Sequence, residues 1–84
     1  MTSQTMDVPP VSVDPNFSAV LRRLRDERGL SQEKFGAVVG LTGNTIGQIE
    51  LRKAGPTWVT FVQIAENLGM KPHELALLVE EEGE

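Results

Sequence analysis

The stretch Ser31–Glu50, SQEKFGAVVGLTGNTIGQIE, constrains the fold of this chain more than any other. Ser31 carries a hydroxyl that can accept from the free backbone N–H groups of a first helical turn, so a helix is expected to start there. Phe35, Val38 and Val39 follow at three-to-four-residue spacing, which predicts that they bury one face. Gly40 suits the left-handed residue that closes a helix C-terminus. Thr42 can cap a second helix, and the spacing of Ile46 and Ile49 turns its inner face to a core. Gly40-Leu41-Thr42 therefore reads as a tight turn between two short helices.

Two helices joined by so short a glycine-containing turn form a helix-turn-helix unit, which projects the outer face of its second helix into a groove. The rest of the chain reads as its support. Residues 1–13 are polar and carry Pro9-Pro10, without helical periodicity, and are expected to be a flexible arm. That arm holds no Arg or Lys to insert into a minor groove. Asp14-Pro15 is a helix start, an Asp cap followed by proline where its missing N–H costs nothing. Phe17, Val20, Leu21 and Leu24 form its stripe and Gly29 ends it, with Arg22, Arg23 and Arg28 on the other faces, either as a solvated charged face or as phosphate contacts. Pro56 closes the loop after the central unit. Thr57 then caps a helix with Trp58, Phe61, Ile64, Ala65 and Leu68 as its expected core face, ended by Gly69.

Pro72 opens a fifth helix. There Leu75, Leu78 and Val79 recur at helical spacing, and Ala76 and Leu77 widen the arc beyond one face. A terminal helix apolar on more than one side predicts two partners, the core and a second subunit, so Leu75, Leu78 and Val79 are the expected dimer interface. The chain is expected to fray from Glu80, leaving residues 81–84 as an acidic tail. The fold class is thus all-α: one compact five-helix domain over residues 14–80.

The inventory of residues excludes several functions. Without cysteine there is no disulfide, zinc finger or thiolate chemistry, and a reducing cytoplasm is compatible. The lone His73 cannot build a multi-histidine metal site, so no metal or cofactor is expected. No apolar run reaches the ~20 residues that span a bilayer, and the N-terminus lacks the basic and apolar regions of a secretion signal. There is no phosphate-binding glycine motif and no pair of carboxylates in an evident cleft, so an enzyme is not expected. Net charge is −4, yet it is polarised: residues 22–53 carry +3, while residues 54–84 carry −5 and residues 1–21 carry −2. A nucleic acid needs a local basic patch rather than a basic whole.

With Ile46 and Ile49 inward, the helical repeat places Asn44 and Gln48 outward, one turn apart on one face. Both are amides that donate and accept together, which suits the adjacent N6 and N7 of adenine in the major groove.

The residues now in view resemble the lambda-repressor-like, or Cro/Xre-type, helix-turn-helix family. The family pattern runs through Leu21-Arg22-Arg23-Leu24-Arg25, Gly29-Leu30-Ser31-Gln32 and Gly40-Leu41-Thr42 to Ile46, Ile49 and Glu50. It continues with Pro56 and Phe61-Val62-Gln63-Ile64-Ala65-Glu66-Asn67-Leu68-Gly69. The resemblance implies a five-helix domain that binds double-stranded operator DNA, usually as a two-fold homodimer, with its third helix in the major groove. It implies that Gln32 contacts backbone phosphate, that Thr42 and Thr45 meet phosphate at the start of the third helix, and that Arg25 and Glu50 form a structural ion pair between the first and third helices.

Several residues depart from the pattern. Gly36 stands where the family has alanine. Gly43 and Gly47 occupy base-reading positions without side chains, Gly47 allowing close approach of the backbone to DNA. Arg52 replaces a glycine after the third helix, which predicts that the helix continues and leaves Arg52 and Lys53 near phosphate. Operator occupancy without a separate effector or activation domain makes repression the expected mode. The size and last helix are also similar to restriction–modification controller proteins, which both activate and repress, and a phage-type repressor or plasmid regulator fits equally well. The alternative is an antitoxin-like or adaptor module whose surface binds a protein partner.

Overall fold

The computed structural model describes residues 15–83, which form five helices and, among the described residues, no strand: α1 Pro15–Glu27, α2 Gln32–Val39, α3 Gly43–Glu50, α4 Trp58–Asn67 and α5 Pro72–Glu82. The arm, the Asp14 cap and the last residue of the acidic tail lie outside the described residues. Helix α2 packs on α3 and α4, α1 packs on α3 and α5, and α4 packs on α5. The core they enclose is Phe17, Val20, Leu21, Leu24, Phe35, Val39, Ile46, Ile49, Phe61, Ile64, Ala65 and Leu75.

The helix boundaries follow from side-chain caps. Ser31 Oγ accepts from the Lys34 N–H at 3.1 Å, Thr42 Oγ1 from the Thr45 N–H at 3.1 Å and Thr57 Oγ1 from the Thr60 N–H at 3.2 Å. Each satisfies a donor that the first turn leaves without an intrahelical partner. Gly40, at φ +82°, ends α2 in the left-handed conformation. The last carbonyls of α2 are then covered from α4. Gln63 Nε2 donates to the Val39 and Gly40 oxygens, both at 3.0 Å, and Asn67 Nδ2 donates to the Val39 oxygen at 3.0 Å.

The buried face of α2 differs from the expected one. Phe35 and Val39 are buried, but Val38 is 44% exposed, and the third inward position is Gly36. A Cβ built on Gly36 would stand 2.6 Å from the Leu41 carbonyl oxygen and 2.9 Å from the Thr42 carbonyl carbon. The turn folds back so closely on α2 that only glycine fits beneath it.

Trp58, expected in the core, is 52% exposed. It is the first residue of α4, and its ring stacks over Phe61 with centroids 5.5 Å apart, covering the core from outside. Leu75 is the converse case. Placed at the expected dimer interface, it is fully buried against its own chain and is unavailable to a second subunit. Leu78 and Val79 are half-buried against the core, and Leu77 is 52% exposed. Five consecutive apolar residues, Leu75–Val79, conceal which of them faces inward.

The chain does not fray at Glu80. Helix α5 runs on to Glu82, whose Oε1 accepts from Arg23 Nη1 at 2.7 Å and ties the helix end to α1.

Candidate nucleic-acid interface

Helix α3 is held on three sides. Ile46 and Ile49 anchor its inner face in the core. The buried Ser18 hydroxyl of α1 donates to the Ile49 carbonyl at 2.7 Å. Arg25, also on α1, donates to Glu50 from Nε to Oε2 at 2.7 Å and from Nη2 to Oε1 at 3.1 Å, while its Nη1 donates to the Leu30 carbonyl at 2.9 Å. The side chain of Glu50 is only 5% exposed. Burial pushes its pKa up, but hydrogen bonds from Arg25 and Gln32, with the charges of Arg25 and Arg22, outweigh burial and hold it below the usual carboxylate value. The hydrogen bond to Glu50 correspondingly raises the Arg25 guanidinium.

Against this frame, Asn44 is exposed and Gln48 half-buried. Neither amide has a hydrogen-bond partner among the described residues. Two donors and two acceptors are thus presented from a helix whose own position is fixed.

Gly43 and Gly47, expected among the base-reading positions, point elsewhere. A Cβ at Gly43 would lie 2.8 Å from the Glu33 Cα, and one at Gly47 would lie 3.3 Å from Gln32 Oε1. Both face the first turn of α2; at Gly43 the missing side chain lets α2 and α3 pack closely, while at Gly47 it leaves room for the end of the Gln32 side chain.

Gln32, at the first position of α2, donates from Nε2 to Glu50 Oε1 at 3.1 Å and so bridges the start of α2 to the end of α3. Thr42 Oγ1, besides capping α3, donates to Thr45 Oγ1 at 3.0 Å. These residues cluster where the N-terminal turns of α2 and α3 meet.

Helix α3 ends at Glu50 rather than continuing. Arg52 adopts φ +62°, its N–H donates to the Ile49 carbonyl at 2.9 Å, and the Lys53 N–H donates to the Gln48 carbonyl at 2.9 Å. This is the paired closing turn that glycine usually makes at a helix C-terminus. Arginine takes it here, so the departure from the family pattern changes the residue without changing the path of the chain. Arg52, Lys53 and Leu51 are all exposed.

A helix-turn-helix domain model matches residues 16–78. The chain belongs to the helix-turn-helix family. It is 34% identical over 69 residues to the uncharacterised HTH-type transcriptional regulator y4dJ of Sinorhizobium fredii, covering 82% of this chain and 84% of that relative. Among solved structures it resembles the restriction-modification controller protein C.AhdI from Aeromonas hydrophila, with TM-score 0.63, 33% identity and coverage of 73% of this chain and 88% of that one. It also resembles an HTH_3 family transcriptional regulator from Vibrio cholerae, with TM-score 0.66, 28% identity and coverage of 75% of this chain and 35% of that one.

Within this family the chain is a DNA-binding, Cro/Xre-like regulator of transcription. Its helix-turn-helix pair is α2 and α3. Among the described residues no helix is long and apolar enough to cross a membrane, and no cluster of His, Cys, Asp or Glu could hold a metal ion.

Sequence reasoning passed over one feature of this helix-turn-helix surface and left a second unresolved, grouping Arg22 with Arg23 and Arg28. The amides of Gln63 and Asn67 cap α2 from a distant helix, and no local pattern announces such a contact. Arg22 has Asp26 one turn further along α1, a spacing that favours an ion pair. Yet Asp26 lies 3.7 Å from Arg25 Nη1 instead, and Arg22 makes no hydrogen bond or ion pair among the described residues.

Proposed function

We propose that this chain is a sequence-specific regulator that places α3 in the major groove of double-stranded operator DNA. The observation that carries this reading is the pair Asn44 and Gln48, two amides without partners among the described residues on the outer face of a firmly seated helix. Each can pair bidentately with adenine N6 and N7, at about 1–3 kcal/mol of discrimination per base. Gln32, Thr42 and Thr45 beside the start of α3, and Arg52 and Lys53 beyond its end, are the proposed phosphate contacts, which set register rather than sequence.

Two copies bind a palindrome whose half-sites lie about one helical turn apart. The proposed dimer face is Leu78 and Val79 with the exposed Leu77 and Trp58. Occupancy of the operator blocks transcription, so repression in the cytoplasm is the proposed mode.

Selection of sites from a random double-stranded pool at low and high salt tests this reading. A palindrome with A·T pairs in each half, bound with affinity that falls steeply with salt, supports it. Recovery of no motif by folded protein overturns it.

A second reading, a protein-interaction or antitoxin-like module, has one observation of its own. Trp58, Val59 and Val62 line an open groove on α4 together with Gln63, Glu66 and Asn67, and Val59 is 73% exposed. Under that reading Asn44→Ala and Gln48→Ala leave activity untouched.

A further inference from the structure

We propose that residues 8–13, Val8-Pro9-Pro10-Val11-Ser12-Val13, dock on the cleft between α4 and α5 of their own chain and cover Trp58. The segment then competes with a second copy for that face. The competition rests on the reading above, in which Trp58 and Val79 belong to the dimer face.

The cleft is lined by Trp58, Phe61, Ala76, Val79 and Glu80 and has a volume near 140 Å³, room for an aliphatic side chain. Glu80 is the charged residue of this lining, and the rest is apolar. Trp58 stacks on Phe61 from outside the core and is still 52% exposed. Covering that ring removes apolar area from water, which favours any apolar segment able to reach it.

The chain enters α1 beside this cleft. Phe17, next but one to Pro15, has its ring centroid 5.6 Å from that of Phe61, which in turn lies 5.5 Å from that of Trp58. Asn16 adjoins the end of α5, since a Cβ on Gly83 would lie 2.6 Å from its Nδ2. Val79 and Glu80, which line the cleft, stand one turn before Gly83. A proline-rich extended backbone rises about 3.1 Å per residue, so the path from Pro9 to Pro15 spans about 19 Å, enough to reach Trp58.

The composition of the segment matches the cleft. Residues 8–13 carry no charge, so Glu80 meets no like charge, and residues 1–13 hold no Arg or Lys that DNA would attract. Pro9-Pro10 favours the polyproline form in advance, which lowers the entropy lost on docking. Segments of that form seat in grooves lined by aromatic rings. Joined to α1 through Asp14, the segment has an effective concentration at the cleft on the order of millimolar. A second copy gains Trp58 and Val79 only when the segment leaves, so apparent dimer affinity falls with the fraction of uncovered chains.

Trp58 is the one tryptophan in the sequence, so its fluorescence reports on this contact directly. The test compares the full chain with a variant carrying Pro9→Ser, Pro10→Ser and Val11→Ser together, without DNA, across a dilution series and with acrylamide as quencher. At the lowest concentrations the triple variant is expected to shift Trp58 emission to the red and to raise its quenching, with helicity unchanged. Thr2→Ala, outside the segment, is expected to match the unmodified chain. In sedimentation the triple variant is expected to dimerise at a lower concentration than the unmodified chain. Equal emission and quenching in the unmodified chain and the triple variant overturn the proposal. Protection of Trp58 that arises only as concentration rises places a second copy on the cleft and overturns it too. An unchanged dimerisation concentration in a variant with newly exposed Trp58 overturns the competition. None of these results touches operator binding, which fails separately if the unmodified chain binds DNA without salt dependence.

Discussion

Arg25 and Glu50 face each other across the junction of α1 and α3, joined by two hydrogen bonds of 2.7 and 3.1 Å and nearly sealed from solvent. Removing either partner leaves the other's charge buried. Arg25→Ala is therefore expected to cost about 3–5 kcal/mol of stability, measured by urea unfolding at neutral pH.

The same pair sets a pH dependence. The folded-state pKa of Glu50 lies below its ordinary value of 4.5, so the unfolded chain binds a proton more readily. The stability that Glu50 contributes is complete above that ordinary value and is lost as pH falls through the lower folded one. Unfolding midpoints measured from pH 7 down to pH 3 should decline below about pH 5, and this part of the decline should be absent in Glu50→Gln.

Gly36→Ala should destabilise, although alanine is the better helix former by up to about 1 kcal/mol. Its methyl would lie 2.6 Å from the Leu41 carbonyl oxygen, a backbone atom that cannot rotate aside. A net loss of about 1–3 kcal/mol is expected from overpacking, read as a fall in melting temperature. A rise would mean that the turn moves freely away from α2.

Gln48→Ala should relax preference at one symmetric position of the selected site by about 1–3 kcal/mol, leaving affinity elsewhere unchanged. Repeating the selection with the variant reads this directly. Uniform weakening on all sequences would assign Gln48 to backbone contact instead.

Leu77→Glu and Leu75→Ala should part company. Leu77 is exposed, so its change is expected to halve the sedimenting mass with helicity intact. Leu75 has no exposed surface, and its truncation should cost about 2–5 kcal/mol through a core cavity. Unaltered mass in Leu77→Glu would remove α5 from the proposed dimer face.

The elements and most of the core were legible in the sequence, because caps and apolar periodicity are local. Ser31, Thr42 and Thr57 announce helix starts by their hydroxyls, and Phe17, Val20, Leu21 and Leu24 repeat as one helix face must. What escaped depends on the neighbour across the gap. Val38 loses its place to Gly36 because the turn folds back on α2, and Leu75 is chosen from five adjacent apolar residues by what α5 meets. At the candidate interface, the outward direction of Asn44 and Gln48 follows from the inward direction of Ile46 and Ile49. The orientation of Gly43 and Gly47 toward α2 follows from how two helices cross, which spacing does not encode. Arg22 lacks its neighbour along the helix because Asp26 lies closer to Arg25, a competition between side chains that only three-dimensional placement resolves.

The internal independence of Asn44 and Gln48 has a bearing on how chains of this kind diverge. Gln32, Glu50, Ser18 and Arg25 are bound to one another or to the backbone, so altering any of them disturbs the fold as well as the surface. The side-chain amides of Asn44 and Gln48 are tied to nothing within the described residues. Under the proposed reading, a duplicated copy that exchanges either amide would acquire a different target without first passing through a less stable protein. Heredity would then vary what this helix recognises while leaving the way it is held untouched.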